Sequence, residues 1–345
     1  MTVDQNGSSL AASSVAGALP RTCSSSRSST SRLARTKSSV RQNLDMDCHG
    51  FGAILRDMTI DFDSARMFIY ANGRLLEQHV YAHLFEKASN SPAVAALLAY
   101  QNDDGGFGHG LEPDKRCPDS QPLDVAVALE CLATVGANAT DVVMRACDYL
   151  TTVADDRGAV PILLPSVAAY PRAAHWSGGV VPPDLNPTAA IAGHALGLGV
   201  EHPWLDKATA YCLATLENED APREAHTLLA VTQLLEQLGD ARVGDMAAAV
   251  AAVLPGSSFF QPVPEPGNYG VTPLQFAPTP ESMARAWFDD AAIGAHLDDL
   301  EAQQQDDGGW PIAWSPPSDA SRCEWRAIRT LDALRTLTAY GRLGT

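Results

Sequence analysis

Gln101-Asn102-Asp103-Asp104-Gly105-Gly106-Phe107-Gly108 returns near the other end of the chain as Gln304-Gln305-Asp306-Asp307-Gly308-Gly309-Trp310. The order is amide, two acids, two glycines, one aromatic. Only glycine enters the positive-φ region cheaply, so the pair marks a sharp turn after a helix. The aspartates can accept hydrogen bonds from free backbone N–H groups in that turn. The aromatic is expected to pack back under the helix just left, and the glutamine to bond neighbouring backbone. The motif therefore reads as a repeated corner joining one helix to the next.

Outward from the corners the pattern is helical. Phe68, Leu75, Leu76, His79, Val80, His83 and Leu84 recur at three and four, and a second run ends in the first corner. After the loop 108–118, Asp119-Ser120-Gln121-Pro122 supplies a capping signal ahead of proline for a helix carrying Leu123, Val127, Leu129, Leu132 and Val135. Asp155-Asp156-Arg157-Gly158 reads as a worn corner, and Asp103, Asp155 and Asp306 fit a spacing of about fifty residues, two helices per unit. A helix of very small residues is expected from Thr188 to Gly199. Further helices are expected over 204–216, 223–238, 241–254 and 282–303, and a last one carries Trp325, Ile328, Leu331, Leu334 and Leu337. Pro-rich loops interrupt the pattern at 159–187 and 255–280. About ten paired helices and no credible strand system define an all-α chain.

The chain has 345 residues, 46% of them hydrophobic, with a formal charge of −17. That acidity argues against nucleic acid as the main partner. No apolar run is long enough for a membrane span. Seven cysteines without a Cys-x-x-Cys spacing suggest a reducing, cytoplasmic setting. Residues 1–57 form a Ser/Arg-rich leader expected to be disordered. It reads as a transit segment, a basic tail or the product of an early start codon. Residues 58–345 form the folded domain.

Gln-x-Asp-Asp-Gly-Gly-Phe/Trp after a helix resembles the repeat of terpenoid cyclases and protein prenyltransferases of the squalene–hopene cyclase type. The resemblance covers about residues 65–340 and rests on two intact corners. It implies an α/α toroid of about five helical hairpins, with the two Pro-rich loops inserted. It further implies a central cavity for an apolar isoprenoid substrate and chemistry of the acid-initiated cyclisation or prenyl-transfer kind. The chain lacks both Asp-x-Asp-Asp and Asp-Asp-x-x-Asp, so no metal or cofactor is called for. Other α/α toroids act as glycan lyases and hydrolases, which is the alternative reading. A non-catalytic binding module with an unidentified protein partner is the third.

Candidate chemistry concentrates after the first corner. Glu112, Asp114 and Asp119 are the candidate proton donors, because an acid buried beside a second carboxylate has a raised pKa. His109 and Arg116 flank them as candidate substrate-binding groups. The plainer reading of all five is loop bonding and helix capping. Trp176, beside His175, offers an indole face for a cation or a sugar. Trp287 and Asp290, before the second corner, are candidate cavity residues, with packing and a solvated face as the plainer reading. His79 and His83 have metal-ligand spacing but no third ligand.

Overall fold

The computed structural model describes residues 60–179, 181–218, 222–239 and 243–343. The chain divides into two units, Met1–Ile54 and Leu55–Thr345, and every described residue belongs to the second. The leader therefore lies outside the described residues.

The described residues are all-α, with no β-strand and a few isolated bridges between loops. In order the helices are α1 (Phe62–Asn72), α2 (Leu75–Phe85), α3 (Ser91–Leu98), α4 (Pro122–Thr134), α5 (Thr140–Val153) and α6 (Leu185–Gly197). They continue as α7 (Pro203–Asn218), α8 (Ala225–Leu235), α9 (Val243–Val253), α10 (Pro273–Phe276), α11 (Asp290–Ala302) and α12 (Asp319–Ala339).

Several helices start where an acceptor side chain meets a free N–H. Asp61 accepts from Ser64, Glu224 from His226 and Thr227, Asp289 from Ala292, and Ser318 from Ser321. The Asp289 cap splits the helix expected over 282–303, leaving a 3-10 turn at Met283–Trp287 ahead of α11. At α4 the cap position is Gln121, with no side-chain cap bond. Its amide reaches away to Ser166 Oγ and the Leu164 N–H. Helix α10, four residues inside the second Pro-rich loop, escaped the periodicity argument because it is too short to show a period.

All three corners have the same backbone. Gly105, Gly158 and Gly308 carry φ of 89°, 91° and 87°. In each, the residue three before that glycine donates to the carbonyl one after it and accepts from the glycine N–H. The worn copy at 155–158 is thus a true corner. The two intact corners also clamp the start of another helix. Gln101 Nε2 donates to Gly105 O and to Val142 O in α5, while Gln304 Nε2 donates to Gly308 O and to Asp61 O ahead of α1. Trp310 packs back as expected, its indole N–H donating to Leu300 O in α11 at 2.7 Å.

The pattern resolves into two series. Among the even-numbered helices α4 packs on α6, α6 on α8, α8 on α10, and α12 on α2. Small residues permit the closest of these approaches: a Cβ on Gly193 of α6 would meet the Gln233 carbonyl oxygen of α8 at 2.7 Å. The corners link odd-numbered helices, the one after α3 reaching α5, the one after α5 reaching α7 through Gly158, and the one after α11 reaching α1. The last helix also lies against α1, so the end of the chain returns to its described beginning. The twelve described helices make six such pairs, one more than the repeat spacing suggested, because α10 supplies the missing member.

Arg326 of α12 fixes the second corner. Its guanidinium donates to both Asp307 oxygens, to Gln305 Oε1 and to Trp310 O, and lies 4.4 Å from the Phe68 ring centre. The Arg326 bond holds the Asp307 carboxyl below its ordinary value. Arg326→Ala is expected to cost about 2 kcal/mol, the scale of a lost charge-assisted bond, read as a reduced melting temperature.

Candidate active site

The loop 108–118 lies across the starts of three even-numbered helices. Arg74, ahead of α2, donates to Gly110 O and Leu111 O. Asp124, in the first turn of α4, accepts from the Glu112 N–H at 2.7 Å. Arg116 donates to Ser321 Oγ and pairs with Glu324 at the start of α12. The segment 159–179 lies beside it, with Arg116 N–H donating to Pro171 O and Ala173 N–H to Asp114 O. Helix starts carry partial positive charge, so carboxylates are favoured here.

Beneath the loop is a buried charge cluster. Lys115 is fully buried, with Nζ 2.8 Å from Asp124 Oδ1 and 3.2 Å from Glu112 Oε2. Burial pushes both carboxyls up, Lys115 opposes it, and the two acids hold the lysine in its charged form. Asp124, with the shorter contact and a backbone donor besides, carries the compensating negative charge. The Glu112 carboxyl is nevertheless engaged, accepting from Lys115 Nζ.

Asp114 is different. It is 3% exposed, and its Oδ1 has no hydrogen-bond partner. Burial raises its pKa, against the lowering influence of the Trp325 and Trp314 indoles. Neither indole N–H closes a well-formed bond, and both are also buried without a partner. His175 Nε2 stands 3.4 Å from Asp114 Oδ2. Buried polar groups left unpaired in one place are those a hydrogen-bonding ligand would satisfy. An acid so placed can exist neutral and donate a proton, and the indoles can steady the carboxylate that remains.

Aromatic contacts run on from there. Trp314 meets Trp325 edge-on at 5.2 Å and Tyr269 edge-on at 5.6 Å. Tyr269 stacks on His226, whose Nδ1 contacts Glu224 Oε1. Arg329 of α12 is close enough to act on the Tyr269 hydroxyl. Beyond it lie Asp332, Arg335 and, on α4, Glu130. Glu130 is exposed and Asp332 partly so, yet burial is the largest influence on both and raises their pKa values. Asp332 faces Arg329 and Arg335, each at 3.9 Å, so this stretch is charged.

Of the other expected site residues, His109 is exposed, with Nε2 2.8 Å from Asn102 Oδ1. Asp119 is exposed on the loop. Arg116 ties the loop to α12. Trp176 is half-buried against His175 and the small apolar cluster of Cys117, Leu163 and Val167. Trp287 packs with Phe276 and Phe288, and Asp290 pairs with Arg285. The contacts of Trp287 and Asp290 do not join them to Asp114, whereas Trp176 reaches it through His175. His83 Nδ1 meets Ala88 O at 2.9 Å. Among the described residues no three metal-ligating side chains converge, and no helix is long and apolar enough to cross a membrane. Glu224, His226, Tyr269 and Trp314 escaped the sequence reading, and Trp325 enters it only as part of the apolar face of the last helix. The available signal was position, since each lies on a segment entering, or at the start of, an even-numbered helix, as Asp114 does.

No protein-family model and no curated protein sequence matches the chain. It is similar in fold to a crystal structure of a protein from Actinoplanes, at 17% identity and a TM-score of 0.52, covering 81% of this chain and 98% of that one.

Proposed function

We propose that the chain is an enzyme built on an α/α toroid, with Asp114 as its general acid. The two helix series and the return of α12 and the second corner to α1 support the ring. The observation that carries the activity is the Asp114 carboxyl, buried, raised in pKa and unpaired at Oδ1 beneath two unpaired indole N–H groups.

The charged stretch of Arg329, Asp332, Arg335 and Glu130 favours a hydroxylated, carbohydrate-like substrate. An isoprenoid chain lying on Glu130, Asp332, Arg329 and Arg335 would strip water from them and return no hydrogen bond. Hydroxyl groups would replace that water. The isoprenoid reading keeps one specific support, the indole pair beside the acid, since indole faces stabilise carbocations.

The test is a melting-shift and turnover screen of the full chain with neutral and uronic-acid oligosaccharides, farnesyl diphosphate and squalene. Asp114→Asn is expected to cut turnover of the active ligand by at least about 100-fold, the range of a lost acid catalyst, with little change in melting temperature. Full turnover in that variant would remove Asp114 from the chemistry. A shift with isoprenoids alone would move the substrate to the second reading.

A further inference from the structure

The Pro-rich loop 255–272 is pinned to the segment before α8. Ala225 N–H donates to Ser258 O, Ser258 N–H to Arg223 O, and Val271 N–H to Phe259 O. This pinning brings Tyr269 to His226, 43 positions apart, with the phenol oxygen 2.7 Å from His226 Nε2. On its other side His226 Nδ1 meets Glu224 Oε1. Glu224 is held in place as the α8 cap, accepting from the His226 and Thr227 N–H groups and from Thr227 Oγ1. Phe259, at φ 63° and itself exposed, lies against both rings, tilted to His226 at 5.6 Å and edge-on to Tyr269 at 6.1 Å between centroids. A non-glycine residue held in that region is a strained position of the kind that gathers at functional sites.

The order of acceptors fixes the proton positions. Glu224 has only acceptor oxygens when ionised, so Nδ1 carries the imidazole proton. Nε2 is then the acceptor, and the Tyr269 hydroxyl donates to it. Burial works against ionisation of Glu224, but the bond from His226 and the helix-start N–H donors outweigh it and hold the carboxyl at about 2. Burial, with Glu224 and Asp114 adding to it, raises the Tyr269 phenol, so it rests neutral and needs a base to become reactive. His226 is that base.

We propose that Glu224, His226 and Tyr269 form a proton relay that makes Tyr269 the second catalytic group of the site, taking a proton from a hydroxylated substrate while Asp114 supplies one. The inference rests on Asp114 being the acid. His226 and Glu224 are positioning residues that act through the phenol. In the step, the phenol proton passes to His226 Nε2, and the phenolate oxygen takes a proton from a substrate carbon. The released C–H electron pair forms a carbon–carbon double bond as the C–O bond beyond it breaks. The departing oxygen keeps its pair and receives the Asp114 proton. No oxidant or reductant enters, and the reaction class is elimination from a hydroxylated substrate.

The relay can be tested without the substrate. An aryl sulfonyl fluoride probe reacts with tyrosine when a base removes the phenol proton: the O–S bond forms, fluoride leaves, and the proton goes to His226. Peptide mapping of the labelled full chain is expected to show Tyr269 modified at least about tenfold faster than Tyr170, an advantage that His226→Gln erases. Long-range nitrogen–proton spectra of the unsubstituted protein are expected to show His226 protonated on Nδ1 alone. Equal labelling of the two tyrosines, an advantage that survives His226→Gln, or a His226 proton on Nε2 would each overturn the relay. These readouts do not depend on Asp114, so failure of the relay and failure of the acid assignment are separately visible.

Discussion

Lys115→Met is expected to destabilise the protein by about 3–5 kcal/mol at neutral pH, the cost of leaving buried charge without its partner. Lys115 is the cation within contact of both Glu112 and Asp124, and all three side chains are withdrawn from solvent. The sign with pH follows from the carboxyls. Burial already raises both, and without the lysine they rise further. A group whose folded pKa is raised contributes stability below its unfolded value and loses it as pH rises through the folded one. The deficit of the variant therefore shrinks toward about pH 4, near the unfolded carboxyl values, and widens above them. Adding Glu112→Gln and Asp124→Asn recovers most of the loss, because neutral amides keep hydrogen-bonding capacity and remove the uncompensated charge. Denaturant melts at several pH values check this, and a deficit independent of pH would refute it.

Gly308→Ala is expected to cost about 4 kcal/mol. A left-handed non-glycine residue contributes about 1–3 kcal/mol of that, and a forced contact in a packed site a similar amount. At φ 87° an added Cβ would land on the Ser64 carbonyl oxygen of α1, which is backbone and cannot swing away. The melting temperature should fall by on the order of 10 °C. Gly136→Ala is the control, with φ 57° and nothing within 4 Å of the added carbon, so it carries the conformational cost alone, about 1 kcal/mol. Equal losses in the two variants would mean that the contact between the second corner and α1 contributes nothing. Faster proteolysis around α1 in Gly308→Ala alone would locate the loss at that contact.

The corners explain why so much of the fold was legible beforehand. Their glycines are needed for a local backbone conformation, and Gln101, Asp104, Gln304 and Asp307 each bond a backbone atom of their own corner as well as a more distant partner. The requirements within each corner depend on near neighbours in the chain and leave a spacing that can be counted. The helices read equally well wherever an apolar face ran for three turns or more. Reading failed at α10, whose four residues are set by the local Thr272–Gln275 capping bonds and by packing on α8 and α11.

The sequence by itself determined an all-α chain, the repeated corner, the Pro-rich loops and a loop rich in acids after the first corner. Only the tertiary structure distinguished the acids in that loop. Glu112 and Asp114 are two positions apart in the same short segment, and nothing local separates them. Glu112 is claimed by Lys115 and Asp114 is not, because the Lys115 side chain bends toward Asp124 of α4. Asp114 is instead met by Trp314 and Trp325, about two hundred residues further along. Glu224, His226 and Tyr269 meet for the same reason: a polar group's role is set by which partners reach it, and distant segments supply those partners once the helices have packed.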